Sequence, residues 1–126
     1  MAQLDFARVR RMMTGTDTRD RYVIGNNTVA HRVRDVSSRG GVDCIRIELH
    51  NSPVAYIRHF EGTVDIDAIH VTLAGYPTVT TRDRVNSVLR EFTRRARCWQ
   101  DDWQQYIDTG REVIPWDASQ TIAVTV

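Results

Sequence analysis

Alternating apolar and polar residues run through the middle of the chain and predict an antiparallel sheet. The segment CIRIELH places Ile45, Ile47 and Leu49 on one face, because successive side chains of a strand point to opposite sides. Two further strands follow in VAYIRHF and TVDIDAIHVTL. The apolar phase shifts within the last of these, and one extra residue near Ala68 restores a single buried face, as a β-bulge does. Together the three segments predict an antiparallel meander.

Helical spacing of apolar residues occurs at two places. The N-terminal segment LDFARVRRMMTG has this spacing and ends at Gly15, where a helix C-cap would fall. A second apolar stripe runs through residues 81–97 and predicts the principal helix of the chain. Thr80 and Asp83 have the spacing of a capping box, so we expect this helix to begin there.

Turn signals separate the remaining segments. Gly-Asn-Asn at 25–27 predicts a turn between two strands, VSSRGG at 36–41 a loop, and residues 108–110 a hairpin before a last strand in TIAVTV. Nothing divides the chain, so we expect one α+β domain over 1–126, with residues 1–20 as a helical extension. The expected fold is an antiparallel β-sheet with one principal amphipathic helix packed across it and a short N-terminal helix.

The balance of charge excludes some functions for the molecule as a whole. The formal net charge is +1 over 126 residues, so general attraction to nucleic acid or to an acidic membrane is not expected. No apolar run reaches the roughly 18–20 residues that span a bilayer, and arginines interrupt the N-terminal apolar residues, unlike a signal peptide. We therefore expect a cytoplasmic protein with no membrane partner. Cys44 and Cys98 are expected to be free thiols, with one disulfide as the alternative.

Arginines cluster on the predicted second helix. At 100° per residue, Arg90, Arg94 and Arg97 lie opposite the apolar stripe, and Arg84 and Arg95 lie beside them. Guanidinium groups make bidentate contacts with phosphates and carboxylates. This face is therefore a candidate site for nucleic acid or for an acidic protein partner. The alternative is a solvated face, which is normal for an exposed helix.

The start of the same helix is a second candidate site. Free backbone N–H groups at a helix N-terminus attract anions. The side chains that would bind an anion or another ligand with them are Thr80, Thr81, Arg82, Arg84 and Asn86. The alternative is a purely structural cap, since threonine is a common capping residue. A nucleotide at this point would also need a concave pocket.

Aromatic residues provide a third candidate surface. Tyr76, Trp99 and Trp103 are suitable anchors for a protein partner where they are exposed. The alternative is burial of the tryptophans against the sheet.

Catalytic and metal-binding signals are weak. Asp65, Asp67 and His70, with His59 on a neighbouring strand, could face solvent together, but their spacing matches no established metal site. We therefore predict no metal and no cofactor. The chain has no nucleophile elbow, phosphate-binding loop or dinucleotide fingerprint, so we expect a protein that is not an enzyme.

The strand-to-helix segment resembles a motif of small bacteriophage and prophage accessory proteins. Their pattern, G-aromatic-x-T-x-T-T-[KR]-x-R-[hydrophobic]-N, is matched by GYPTVTTRDRVN at 75–86. Tyr76 stands where the pattern has tryptophan, and the resemblance extends in outline over about residues 26–126. It implies a phage protein without assigned catalytic residues. We therefore expect a protein that binds and modulates a bacterial host factor, for host takeover or counter-defence, in the host cytoplasm. The alternatives are a nucleic-acid-binding protein and a nucleotide-sequestering protein, and a homo-oligomer is compatible with each.

Overall fold

The computed structural model describes residues 3–33 and 41–126, and most of the predicted loop at 36–41 lies outside them. In the described ranges two helices and nine strands follow one another. They are α1 (Phe6–Thr14), β1 (Arg21–Gly25), β2 (Thr28–Val33), β3 (Val42–Leu49), β4 (Ser52–Phe60), β5 (Ile66–Val71), α2 (Val79–Phe92), β6 (Arg97–Asp101), β7 (Gln104–Asp108), β8 (Val113–Pro115) and β9 (Ile122–Val124).

Two antiparallel sheets result from these strands. The larger has the order β1-β2-β3-β4-β5-β9, and the smaller has the order β6-β7-β8. The predicted meander is the centre of the larger sheet, where Ile45 and Ile47 are fully buried. The α+β class is thus confirmed, and the hairpin predicted around residues 108–110 is the β7–β8 pair of the smaller sheet. The pairing of β6 with β7 is the part of that sheet that the sequence pattern did not indicate.

The predicted β-bulge lies between β4 and β5. Arg58 pairs with Ala68 and His59 pairs with Ile66, which leaves Asp67 as the extra residue. The shift keeps Ile69 and Val71 on the buried face. The change of apolar phase was therefore a reliable sign of irregular pairing.

Both helices cover the same face of the larger sheet. From α1, Val9, Met12 and Met13 enter the single described core cluster, which also contains the apolar side of α2. The ring of Phe6 in α1 meets that of Phe92 in α2 edge to face, with 5.4 Å between centroids. Gly15 closes α1 with φ of +84°, as predicted, because this conformation is unstrained for glycine.

The predicted boundaries of the second helix are wrong at both ends. Thr78, not Thr80, is the N-cap, and its hydroxyl accepts a hydrogen bond from the Thr81 N–H at 3.1 Å. The Thr81 hydroxyl lies 2.9 Å from that of Thr78, in the place where a capping box has Glu or Gln. At the other end α2 stops at Phe92, because Arg97 onward pairs as β6 with β7.

Candidate functional site

The arginines of the strand-to-helix motif join α2 to the rest of the fold. The Arg84 guanidinium is 9% exposed and donates to the Thr28 hydroxyl at 2.9 Å, the Asn26 carbonyl at 3.1 Å and the Asp83 carboxylate at 3.0 Å. These bonds fix the middle of α2 to the turn between β1 and β2. All three nitrogens of this guanidinium therefore already donate to internal partners, and the geometry does not favour it as an anion ligand.

Arg82 and Asn86 connect the same helix to the small sheet. Nη1 of Arg82 lies 3.0 Å from the side-chain oxygens of Gln100 and Gln105 and 3.2 Å from the Pro77 carbonyl. The Asn86 amide accepts from the Cys98 N–H at 2.8 Å and donates to the Cys98 carbonyl at 2.9 Å. Asn86 thus pairs with β6 as a neighbouring strand would and covers an otherwise free edge.

Four other motif residues help to line a pocket of about 420 Å³ beside the start of α2. Its apolar lining comes from Leu49, Val54, Leu73 and Ala74. The predicted ligand residues Thr80 and Thr81 and the predicted anchor Tyr76 form another part of the wall, together with His50, Ser52 and Thr78. Of the five predicted ligand residues, the structure therefore brings two to a concave site and directs the other three into internal contacts.

The chain passes along this pocket in an uncommon conformation. Ala74 has φ of +55° and Gly75 has φ of +82°. Alanine is disfavoured in this region of backbone space, whereas glycine tolerates it. Hydrogen bonds hold the segment in place, from the Ala74 N–H to the Thr72 hydroxyl and from the Gly75 N–H to the Ala118 carbonyl. Tyr76 follows directly and is 58% exposed.

The predicted arginine face does not exist as one face of a helix. Arg90 belongs to the last turn of α2, whereas Arg94 and Arg95 follow that helix and Arg97 begins β6. Arg84 is buried elsewhere. All four remaining arginines are nevertheless exposed. Nη2 of Arg95 lies 3.8 Å from the Asp108 carboxylate, with 72% of the Arg95 side chain exposed. Arg90, Arg94, Arg95 and Arg97 therefore form a loose basic surface where α2 is followed by β6.

The solvent face of the small sheet carries a row of three rings. Trp99 pairs with Tyr106, and Tyr106 pairs with Pro115, across all three strands. The Trp99 and Tyr106 rings are stacked, with centroids 5.9 Å apart and an interplanar angle of 20°. The guanidinium carbon of Arg97 lies 4.7 Å from the centroid of the Trp99 ring. We call Arg97, Trp99, Tyr106 and Pro115 the ring surface.

The tip of the β6–β7 hairpin exposes a tryptophan. Asp102 and Trp103 form a two-residue turn with φ of +49° and +67°, the conformation that a tight hairpin requires. Trp103 is 87% exposed. The three tryptophans thus have different environments, since Trp116 is buried and donates its indole N–H to the Gln120 carbonyl at 3.0 Å.

The histidine and the aspartates that the sequence could place together lie apart in the described part of the chain. His59 is fully buried on the inner face of β4, so it does not share the solvent face with Asp67, and the predicted grouping is wrong. Among residues 3–33 and 41–126 no three metal-binding side chains lie together. Burial raises the pKa of the Cys98 thiol to about 12, against a smaller lowering by Arg82. Neither Cys98 nor the half-buried Cys44 takes part in a disulfide bond.

The two described helices are also short. Neither of them is long and apolar enough to cross a bilayer.

Comparison with known protein families gives a match over most of the chain. The family model described as Kyanoviridae Gp96 protein matches residues 9–123, which is nearly the whole chain and includes part of α1, all of α2, β1 to β8 and part of β9. No curated protein and no solved structure matches the chain.

Proposed function

The chain belongs to the Kyanoviridae Gp96 family of phage proteins, and from this premise we propose that it is a non-enzymatic accessory protein that binds and modulates a protein of the bacterial host. It acts in the host cytoplasm, in host takeover or counter-defence. The ring surface is the part of the molecule that contacts the host protein. The observation that carries the proposal is the row of rings on the solvent side of a sheet whose other side is buried.

The composition of the ring surface favours a protein partner. Tryptophan, tyrosine and arginine are the residues enriched at binding hot spots. Trp99 and Tyr106 are held by their mutual stacking, so little side-chain freedom is lost when a partner covers them. The inner side of the same sheet, with Cys98 and Ile107, is buried in the core. The small sheet is thus anchored on one side and available on the other.

The exposed arginines at the ring surface indicate the charge of the partner. Arg97 is itself part of the ring surface, Arg94 and Arg95 are exposed just before it in the chain, and Arg90 lies in the last turn of α2. Guanidinium groups bind carboxylates in a planar, bidentate geometry. The host protein is therefore expected to present an acidic surface around an apolar anchor.

Quantitative capture from host lysate tests this proposal. Wild-type protein is compared with Trp99→Ala and Arg97→Ala, and Arg58→Ala is the matched control, because Arg58 is exposed on the larger sheet. Thermal unfolding confirms that every variant is folded. Loss of one captured protein in Trp99→Ala and Arg97→Ala, but not in Arg58→Ala, supports the proposal. Equal capture by all four proteins contradicts it.

A second candidate function is binding of single-stranded nucleic acid. Aromatic rings on which bases can stack, with arginines nearby, are the usual means of such binding, and the Arg97 contact with Trp99 has this form. Binding of this kind weakens steeply as salt rises, because phosphate contacts release counterions. Titration with a labelled oligonucleotide at roughly 50 to 300 mM salt separates the two functions. Tight, salt-sensitive binding that Trp99→Ala abolishes favours nucleic acid over a host protein.

A further inference from the structure

The pocket beside α2 is lined by no Asp, Glu, Lys or Arg side chain and has the lining that suits an aromatic side chain. Leu49, Val54 and Leu73 supply apolar surface, and the hydroxyls of Ser52 and Thr80 supply hydrogen-bonding groups. A volume of about 420 Å³ leaves room for an indole, which has a large apolar body and one N–H that needs an acceptor.

Trp103 is a side chain of this kind that the chain presents outward. It is 87% exposed, and among the described residues its indole N–H has no hydrogen-bond partner. The turn that carries it is tight, since Asp102 and Trp103 both have positive φ. An exposed tryptophan on a tight turn loses little freedom when it inserts into a pocket.

The charges around the tip and around the pocket are complementary. Asp101 and Asp102 precede Trp103 and are exposed. The pocket opens beside the N-terminus of α2, where the helix dipole favours negative charge. Thr78 already accepts from the N–H groups of Thr81 and Arg82, but the N–H groups of Val79 and Thr80 have no partner among the described residues. The two carboxylates of the tip match this end of the helix.

Arg82 links the segment that lines the pocket to the two strands that carry the tip. Nη1 of Arg82 contacts both Pro77, which stands between the pocket residues Tyr76 and Thr78, and Gln100 and Gln105, which flank the hairpin tip. A surface that contains both a protruding side chain, here the knob Trp103, and a pocket that accepts it can pair with a second copy of itself about a two-fold axis. Each tip then enters the pocket of the other copy. Such a dimer is closed and does not extend into a fibre.

We propose that two copies of this chain form a symmetric dimer in which Trp103 of each copy occupies the pocket beside α2 of the other. The dimer does not depend on host-protein binding, because the ring surface lies on the solvent face of the small sheet and the pocket lies at the start of α2. Failure of one proposal therefore leaves the other standing.

Sedimentation velocity over a range of protein concentration tests the dimer. Two variants are compared with the wild type: Trp103→Ala removes the knob, and Thr80→Arg blocks the pocket from an exposed position. Val23→Ala is the matched control, since Val23 is 65% exposed on β1. We expect Trp103→Ala and Thr80→Arg each to raise the dimer dissociation constant by roughly 30-fold or more, the effect of a hot-spot residue, and Val23→Ala to leave it unchanged.

Mixing the two weakened variants provides a second arm. Trp103→Ala retains an intact pocket and Thr80→Arg retains an intact knob, so one knob-and-pocket contact can form between them. The mixture is expected to associate more tightly than either variant alone. A wild-type protein that remains monomeric at every concentration overturns the proposal. So does a dimer that tolerates Trp103→Ala, or one that tolerates Thr80→Arg.

Discussion

Replacement of Arg84 by methionine tests whether the arginines of the strand-to-helix motif are structural. Methionine keeps an unbranched apolar side chain but lacks the guanidinium. In the wild-type protein that group donates hydrogen bonds to Thr28, Asn26 and Asp83. Thr28 is fully buried and Arg84 nearly so. The change therefore removes the link between α2 and the first hairpin while it preserves packing along the helix.

The size of the effect follows from the environment of these bonds. A hydrogen bond from a charged donor contributes about 1.5–3 kcal/mol, and two such bonds, to the Thr28 hydroxyl and the Asn26 carbonyl, are lost. The pair with Asp83 is partly exposed, so screening by solvent keeps its contribution to about 0–1 kcal/mol. Removal of a buried cation offsets part of the loss, because its desolvation no longer opposes folding. We expect the free energy of unfolding to fall by about 2–4 kcal/mol.

Urea unfolding followed by tryptophan fluorescence and circular dichroism measures this loss. The control is Arg58→Met, because the Arg58 side chain is 44% exposed and its Nε lies 4.0 Å from the Asp67 carboxylate. A surface pair of this kind contributes at most about 1 kcal/mol. If Arg84→Met is as stable as Arg58→Met, the structural interpretation of the motif is refuted. Loss of a bound anion at unchanged stability would instead restore Arg84 as a ligand residue.

Three further changes test other parts of the fold. Asn86→Leu removes both hydrogen bonds to Cys98. It should lower the free energy of unfolding by about 2 kcal/mol, since a buried backbone donor loses its partner. An unchanged urea midpoint would contradict the role of Asn86 at the β6 edge. Thr78→Ala should lower the free energy of unfolding by about 1 kcal/mol, and Thr80→Ala should leave it unchanged, because Thr78 is the N-cap. If Thr80→Ala proves the less stable variant in thermal unfolding, the observed start of α2 is contradicted. Above pH 9.0 the Cys98 thiol ionises in the unfolded chain but stays protonated in the folded one until about pH 12, so stability should fall by about 1.4 kcal/mol per pH unit in this range. Cys98→Ala should lack that component of the pH dependence, and identical pH profiles for the two proteins would contradict the burial of the thiol.

The core of the larger sheet could be predicted from local pattern alone. Alternation in β3 indicated which residues are buried, and the phase shift before Ile69 indicated the bulge at Asp67. Both signals are local, because a strand that has one buried face must keep its apolar residues in register. The same is true of α1, where Gly15 marks the end of the helix.

The end of α2 could not be predicted in this way. Arg94 and Ala96 continue a helical pattern, and no glycine or proline interrupts it. The helix ends because residues 97–101 pair with β7, a contact that depends on the rest of the chain. The turn that joins β6 to β7 has Asp102 and Trp103 at positive φ. It lacks the Asn-Gly or Asp-Gly sequence that usually signals a turn of this kind.

The candidate sites show the same division between local and tertiary information. The sequence identified Tyr76, Thr80 and Trp103 as residues of interest, and the structure places all three at or near the surface. It could not reveal that Arg82, Arg84 and Asn86 join α2 to the rest of the fold, since the partners that make this connection are 12 to 58 residues distant. The ring surface was missed as a unit, because Trp99, Tyr106 and Pro115 become neighbours only through strand pairing.

Site-specific photo-crosslinking in infected or protein-producing host cells tests host-protein binding most directly. A photoreactive amino acid replaces Val113, which is 56% exposed on β8 beside the ring surface, or Val23, which is 65% exposed on β1, as the control. We predict one host protein crosslinked from position 113, absent from position 23, and lost when Trp99→Ala is added. Crosslinking from position 23 alone, or a product at position 113 that persists with Trp99→Ala, would contradict the assignment of the ring surface as the host-binding site.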